Sequence, residues 1–233
     1  MICYAGSGRL LHVTPLDNPE FLYYPAPMPR EARIVIPGVP HHITHRGNNK
    51  QQVFFDDEDR RRYLCFLCRY CHEDGLRILA YCLMPNHIHI VGVPARKESL
   101  SRALQRTQQE HTSHINYKYG RCGHLWHGRF YSCPMDLDHT VCALGYVELN
   151  PVRARMVEFP WDYPWSSAPA HCGNRPEDEL LDLDRWFGHY TDAEWRESLL
   201  VEMENKGFLS VIRAHTVKGK PLGKREYFKE RLE

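Results

Sequence analysis

The feature that most constrains this chain is a pair of apolar runs, Leu76–Met84 and 87–93, separated only by Pro85-Asn86. Two strand-like runs joined by so short a polar spacer predict a hairpin, and a hairpin commits the surrounding fold to antiparallel pairing. Residues 39–46 (VPHHITHR), closed by Gly47-Asn48-Asn49, predict a preceding strand, and residues 129–133 a later one. Between them the period changes. The acidic run Asp56-Asp57-Glu58-Asp59 precedes Tyr63, Phe66, Leu67 and Tyr70, spaced i, i+3, i+4 and i+7. That is an amphipathic helix with acids at its positive end, stopping near Gly75. A second helix starts around Ser99 and carries Leu100, Ala103, Leu104 and Ile115 on or near one face. A third spans about 138–150, with Pro151 as its stop.

The order strand, helix, strand, strand, helix, strand, helix predicts an α+β chain of ferredoxin-like (RRM-like) architecture. Its core is a four-stranded antiparallel sheet with two helices on one face, plus an extra helix. The chain divides into three segments: an irregular, Pro-rich leader at 1–27, the core domain at 28–170, and a mainly helical extension at 171–233. Met28 is a candidate alternative start.

The net charge of +1 conceals an uneven distribution. Residues 28–156 hold 18 Lys/Arg against 12 Asp/Glu, 157–205 hold 3 against 12, and 206–233 hold 8 against 3. Basic segments suit a polyanion, because each neutralised phosphate releases condensed counterions, although a solvated surface explains charge alone equally well. No apolar run is long enough to span a membrane and no secretory signal opens the chain, so the expected location is cytoplasmic and nucleoid-associated, without a membrane partner. Nine cysteines, an odd number, fit reduced thiols. Cys65, Cys68 and Cys71 have a spacing that suggests a metal cluster, but they fall inside the first helix with no second pair to complete a site.

The segment Leu83-Met84-Pro85-Asn86-His87-Ile88-His89-Ile90-Val91 carries the chemistry. On a strand, residues two apart face the same way, so His87 and His89 project together while Ile88 and Ile90 point into the core. Two such imidazoles can share one divalent metal, or can be satisfied surface histidines. In the third helix Tyr146 and Asn150 are four apart and so lie on one face. One could attack and the other could hold a metal.

Several ordered motifs then align: Met28-Pro29-Arg30, Val39-Pro40-His41-His42-Ile43-Thr44-His45-Arg46-Gly47-Asn48, Tyr81-Cys82-Leu83-Met84-Pro85-Asn86-His87-Ile88-His89, Gly123-His124-Leu125-Trp126-His127-Gly128-Arg129-Phe130, Tyr146-Val147-Glu148-Leu149-Asn150-Pro151-Val152-Arg153-Ala154 and Trp165-Ser166-Ser167. Over residues 28–170 this pattern resembles the single-tyrosine HUH transposases, and within them the transposase-like proteins associated with repetitive extragenic palindromes. The resemblance implies that His87 and His89 bind Mg2+ or Mn2+ and that Tyr146 is the nucleophile. Asn150 stands where better-known relatives carry a Gln ligand. The implied reaction is cleavage and rejoining of single-stranded DNA through a 5′-phosphotyrosine. Phosphodiester exchange conserves bond energy, so no nucleotide cofactor is expected, and no phosphate-binding GxxxxGK[ST] loop occurs.

The expected partner is single-stranded or hairpin DNA, met by a monomer or homodimer. His42, Arg46, Trp126, Arg129 and Phe130 are candidate base contacts near the sheet, with core packing the competing role for Trp126 and Phe130. Lys218 and Lys220, in a basic tail, are candidate backbone contacts. Two other functions compete. One is a domesticated protein that binds palindromic hairpins without cutting them. The other is a rolling-circle replication initiator or relaxase, disfavoured because Tyr146 follows the histidine pair and position 93 is Val rather than a third His.

Overall fold

The computed structural model describes residues 33–175, 177–183, 189–204, 209–229 and 231. The leader at 1–27 and the Met28-Pro29-Arg30 motif lie outside the described residues. Four strands, β1 (His41–Arg46), β2 (Leu76–Met84), β3 (His87–Pro94) and β4 (Tyr131–Pro134), form one antiparallel sheet in the order β2-β3-β1-β4. Helices α1 (Asp57–Asp74) and α2 (Ser99–Lys118) connect them in the ferredoxin-like manner. A third helix, α3 (Leu137–Glu148), is extra to that core.

Alternation along the central strands assigns the two faces. Ile43, Ile88 and Ile90 join Tyr63 and Leu67 of α1 and Leu100, Ala103, Leu104 and Ile115 of α2 in one core. Val91 and Cys133 face the other way and pack with Ala143, Leu144, Tyr146 and Val147 of α3. A bulge between Ile78 and Ala80 switches the parity of β2, so Ile78 belongs to the first core and Ala80 to the second. The amino end of α1 is closed by a reciprocal Asp56/Asp59 capping box, and Gly75, at φ 69°, ends the helix in the left-handed conformation.

Three boundaries differ from the sequence-based expectation for physical reasons. β1 begins at His41 rather than Val39, because Val39 N–H closes a turn onto Ile36 and Pro40 has no N–H to give a ladder. β4 begins at Tyr131 and reaches Pro134, the residues before it forming a turn in which Gly128 has φ 57°. α3 ends at Glu148, and Pro151 does not stop the chain there. It sits in the first turn of a short following helix, Asn150–Arg153, where its missing N–H is not needed.

Beyond residue 153 the chain returns to the sheet. A helical turn at Ala168–His171 leads to α4 (Asp192–Glu204), α5 (Leu209–Lys218) and α6 (Arg225–Lys229). Trp195, Leu199, Ile212 and Leu222 complete the second core. In the acidic stretch Leu181 is buried and Asp178 accepts from Tyr81 Oη at 2.7 Å. Cys65, Cys68 and Cys71 run from exposed to buried as α1 turns, and no group of three or more His, Cys, Asp or Glu able to hold a metal occurs among the described residues. No described helix is long and apolar enough to cross a membrane.

Burial lowers the pKa of four interior histidines, to about 4 for His41, His45 and His111 and to about 3 for His42. Each is held neutral in the folded chain but titrates near pH ~6.5 when unfolded. The stability they contribute is complete above that pH and falls as pH drops through it toward 4, by up to about 1.4 kcal/mol per pH unit for each histidine. Urea denaturation at pH 7.5 and 5 should show a lower midpoint at pH 5, and equal midpoints would refute this account.

Candidate active site

The second face of the sheet brings His42 of β1 and His89 of β3 against Tyr146 of α3, with His87 beside His89. The His87 and His89 rings lie 5.0 Å apart edge to face. Tyr146 meets the edge of His89 at 5.4 Å and of His42 at 5.5 Å, and His42 lies parallel to His89 at 5.3 Å. Strand alternation produces this arrangement directly: the isoleucines between the histidines are drawn into the first core, so the imidazoles turn to the other side.

Neighbouring groups bond Nδ1 of each candidate ligand. His87 Nδ1 bonds Asn86 Oδ1 at 2.7 Å, and His89 Nδ1 bonds His42 Nε2 at 3.1 Å. His42 Nδ1 in turn bonds Thr216 Oγ1 of α5 at 2.7 Å. In both candidate ligands Nε2 is the ring nitrogen that a cation would use, and the partner on Nδ1 fixes ring orientation, as second partners do at metal-binding imidazoles. Asn150 is buried, and its amide nitrogen bonds the carbonyls of Tyr146 at 2.9 Å and Val147 at 3.3 Å. Its Oδ1 is therefore the atom suited to a ligand role. Two imidazole nitrogens and an amide oxygen are donors of the kind a divalent cation takes. Arg153 donates to the Tyr146 carbonyl at 2.9 Å and holds its guanidinium 5.3 Å from the Tyr146 ring centre.

The candidate DNA contacts separate by depth. Arg46, Arg129, Lys218 and Lys220 are exposed. Trp126 and Phe130 are 6% exposed and His42 is 1% exposed. Trp126 stacks on His45 at 4.9 Å within the first core, Arg33 covers the Phe130 ring at 3.7 Å, and both nitrogens of His42 are bonded. The aromatic faces expected to stack on bases are thus taken by protein groups, because they fill space between the sheet and the surrounding helices.

Sequence reasoning missed Glu148. This buried carboxylate accepts from Ser167 Oγ at 2.5 Å and Trp195 Nε1 at 2.7 Å, and pairs with His171 Nδ1 at 2.6 Å. The available signal was a lone acid in the apolar run ALGYVELN. Thr216 was also missed, being 174 residues from His42 in sequence.

A family model described as transposase IS200 like matches residues 37–150. Over these residues the chain is homologous to the IS200-like transposases. That IS200-like span contains His87, His89, Tyr146 and Asn150 together with all four strands. In fold it is similar to a REP-associated tyrosine transposase bound to a REP hairpin, at TM-score 0.51 and 17% identity, over 66% of this chain and 90% of that one. A candidate transposase from Deinococcus radiodurans R1 aligns at TM-score 0.36 and 18% identity, over 51% and 95%. No curated protein matches the chain.

Glu148→Ala removes the one acceptor shared by Ser167, His171 and Trp195. With donors left buried at about 1–3 kcal/mol each, the IS200-like core should lose roughly 3 kcal/mol or more. Urea unfolding at pH 7.5 measures this, and a loss below about 1 kcal/mol would show the network to be dispensable.

Proposed function

We propose that this protein cleaves and rejoins single-stranded DNA beside a hairpin, through a covalent link between Tyr146 and the 5′ phosphate. The observation that carries the proposal is the packing of the Tyr146 ring against His89, which in turn meets His87, the Nδ1 atoms of the two histidines being held by His42 and Asn86.

Tyr146 Oη attacks phosphorus and gives up its proton, the bond from phosphorus to the 3′ oxygen breaks, and that oxygen takes a proton to become a free 3′ hydroxyl. Attack by a 3′ hydroxyl on the phosphotyrosine reverses the exchange, so rejoining requires no nucleotide. His87 and His89, with Asn150 as a third donor, would hold Mg2+ or Mn2+, which supplies charge stabilisation at the scissile phosphate. A phenol is a weak nucleophile at neutral pH, which is why such stabilisation matters. Arg153 fixes the backbone of Tyr146 and adds positive charge beside its ring. The ring is 1% exposed, so DNA reaches the phenol only when neighbouring side chains give way.

Exposed Arg46 and Arg129 suit contact with the strand being cut, and Lys218 and Lys220 suit its phosphates. The substrate class we favour is a repetitive palindromic element, processed or mobilised on the chromosome in the cytoplasm by a monomer or homodimer. The hairpin in the similar solved complex supports this choice.

A labelled hairpin-bearing oligonucleotide incubated with Mn2+ tests the reading. Wild type should give a covalent protein–DNA adduct on denaturing gels. Tyr146→Phe should give none, and His87→Ala with His89→Ala should reduce cleavage at least about 100-fold, the loss expected on removing a principal charge-stabilising group. Equal cleavage by Tyr146→Phe would overturn the nucleophile assignment. Hairpin binding without any adduct, whatever the divalent metal, would support a binding protein instead.

A further inference from the structure

The hydrogen bonds linking α5 to the histidine pair run in one direction. Thr216 Oγ1 lies 2.8 Å from the carbonyl oxygen of Ile212, which can only accept, so the hydroxyl spends its single proton there. His42 Nδ1, 2.7 Å from the same hydroxyl, must then be the donor. A neutral imidazole that donates from Nδ1 carries its lone pair on Nε2. That lone pair, 3.1 Å from His89 Nδ1, accepts a proton from it. His89 in turn carries its lone pair on Nε2, the nitrogen needed to hold a cation. Each donor fixes the next.

We propose that Thr216 and His42 are positioning residues that select the cation-binding tautomer of His89, so that the helix at Leu209–Lys218 helps to build the site. The proposal rests on the cleavage reading only in treating His89 as a ligand. Thr216→Val keeps the side-chain shape and removes the acceptor. His42 Nδ1–H would then be buried without a partner, and moving its proton to Nε2 relieves this. His42 Nε2–H would donate to His89 Nδ1, leaving His89 protonated at Nε2 and unable to bind a cation there. Thr216→Ser retains the hydroxyl and should restore the wild-type state.

The test uses the metal-free full chain labelled with 15N-histidine. Long-range 1H–15N correlation spectra at pH 7.5 report the tautomer of His89, assigned by comparison with His89→Gln. Wild type and Thr216→Ser should show His89 protonated at Nδ1, and Thr216→Val should show it protonated at Nε2. Mn2+ titrated by calorimetry should bind Thr216→Val about 10–100-fold more weakly than wild type, with Thr216→Ser close to wild type.

Wild-type His89 protonated at Nε2 would overturn the proposal, as would a Thr216→Val chain with unchanged tautomer or unchanged Mn2+ affinity. If Thr216→Val does not fold, the wild-type spectrum decides alone. A wild-type Nδ1–H tautomer without Mn2+ uptake would support the relay while overturning the metal reading, which keeps the two failures distinguishable.

Discussion

The pairing of β1 with β3 at the centre of the sheet is the constraint on which the rest depends. Its register sets Thr44 opposite His89 and Arg46 opposite His87. Side chains alternate with a period of two, so the same pairing that sends Ile43, Ile88 and Ile90 into the core under α1 and α2 turns His42, His87 and His89 to the opposite face. A slip of one residue in β3 would turn Ile88 and Ile90 toward α3 and His87 and His89 into the apolar core. The apolar core thereby enforces the geometry of the polar site, although no isoleucine touches the chemistry.

The second face carries a burden that the first does not, since its interior is polar. α3 manages this by angular separation. Residues four apart on a helix are about 40° apart in projection, and residues two apart about 200°. Tyr146 therefore lies on one side and Glu148 on the other, where it reaches Ser167, His171 and Trp195, while Asn150, opening the short helix that follows, bonds back to the Tyr146 carbonyl. One helix presents the candidate nucleophile to the sheet and anchors itself from behind with a carboxylate. Both sets of groups are bonded, which is what makes burying them tolerable.

The parts legible in the sequence were those written in local periodicity. The hairpin around Pro85-Asn86, the stop at Gly75 and the start at Ser99 all stand where the pattern put them. The helix through Tyr146 was legible too, but its end was not, because Pro151 breaks a helix from within and is accepted in a first turn, and the sequence does not distinguish the two. Depth was less visible. Trp126 and Phe130 read equally well as base contacts or core and His42 read as a base contact, whereas the packing of His45, Arg33 and Thr216 around them buries all three. The partners of Glu148 and His42 lie between 19 and 174 residues away, beyond any local pattern.

The region matching the family ends at residue 150, yet the chain beyond it belongs to the same folding unit. Residues 165–167 bond the outer edge of β2, with Leu83 N–H donating to Trp165 O at 2.9 Å and Ser167 N–H to Tyr81 O at 3.0 Å. At the opposite edge Leu222 N–H donates to Pro134 O at 2.9 Å. Both edges of the sheet, which would otherwise invite pairing with other chains, are thus engaged by the chain beyond residue 150. The same extension supplies Tyr163 Oη to Leu83 O at 2.7 Å, three of the partners of Glu148, and Thr216 beneath His42. A fragment cut at 150 would keep every candidate catalytic side chain and lose the groups that hold them. The site is accordingly a property of the whole described unit, its chemistry carried by the sheet and α3 and its geometry secured by the segments that return to them.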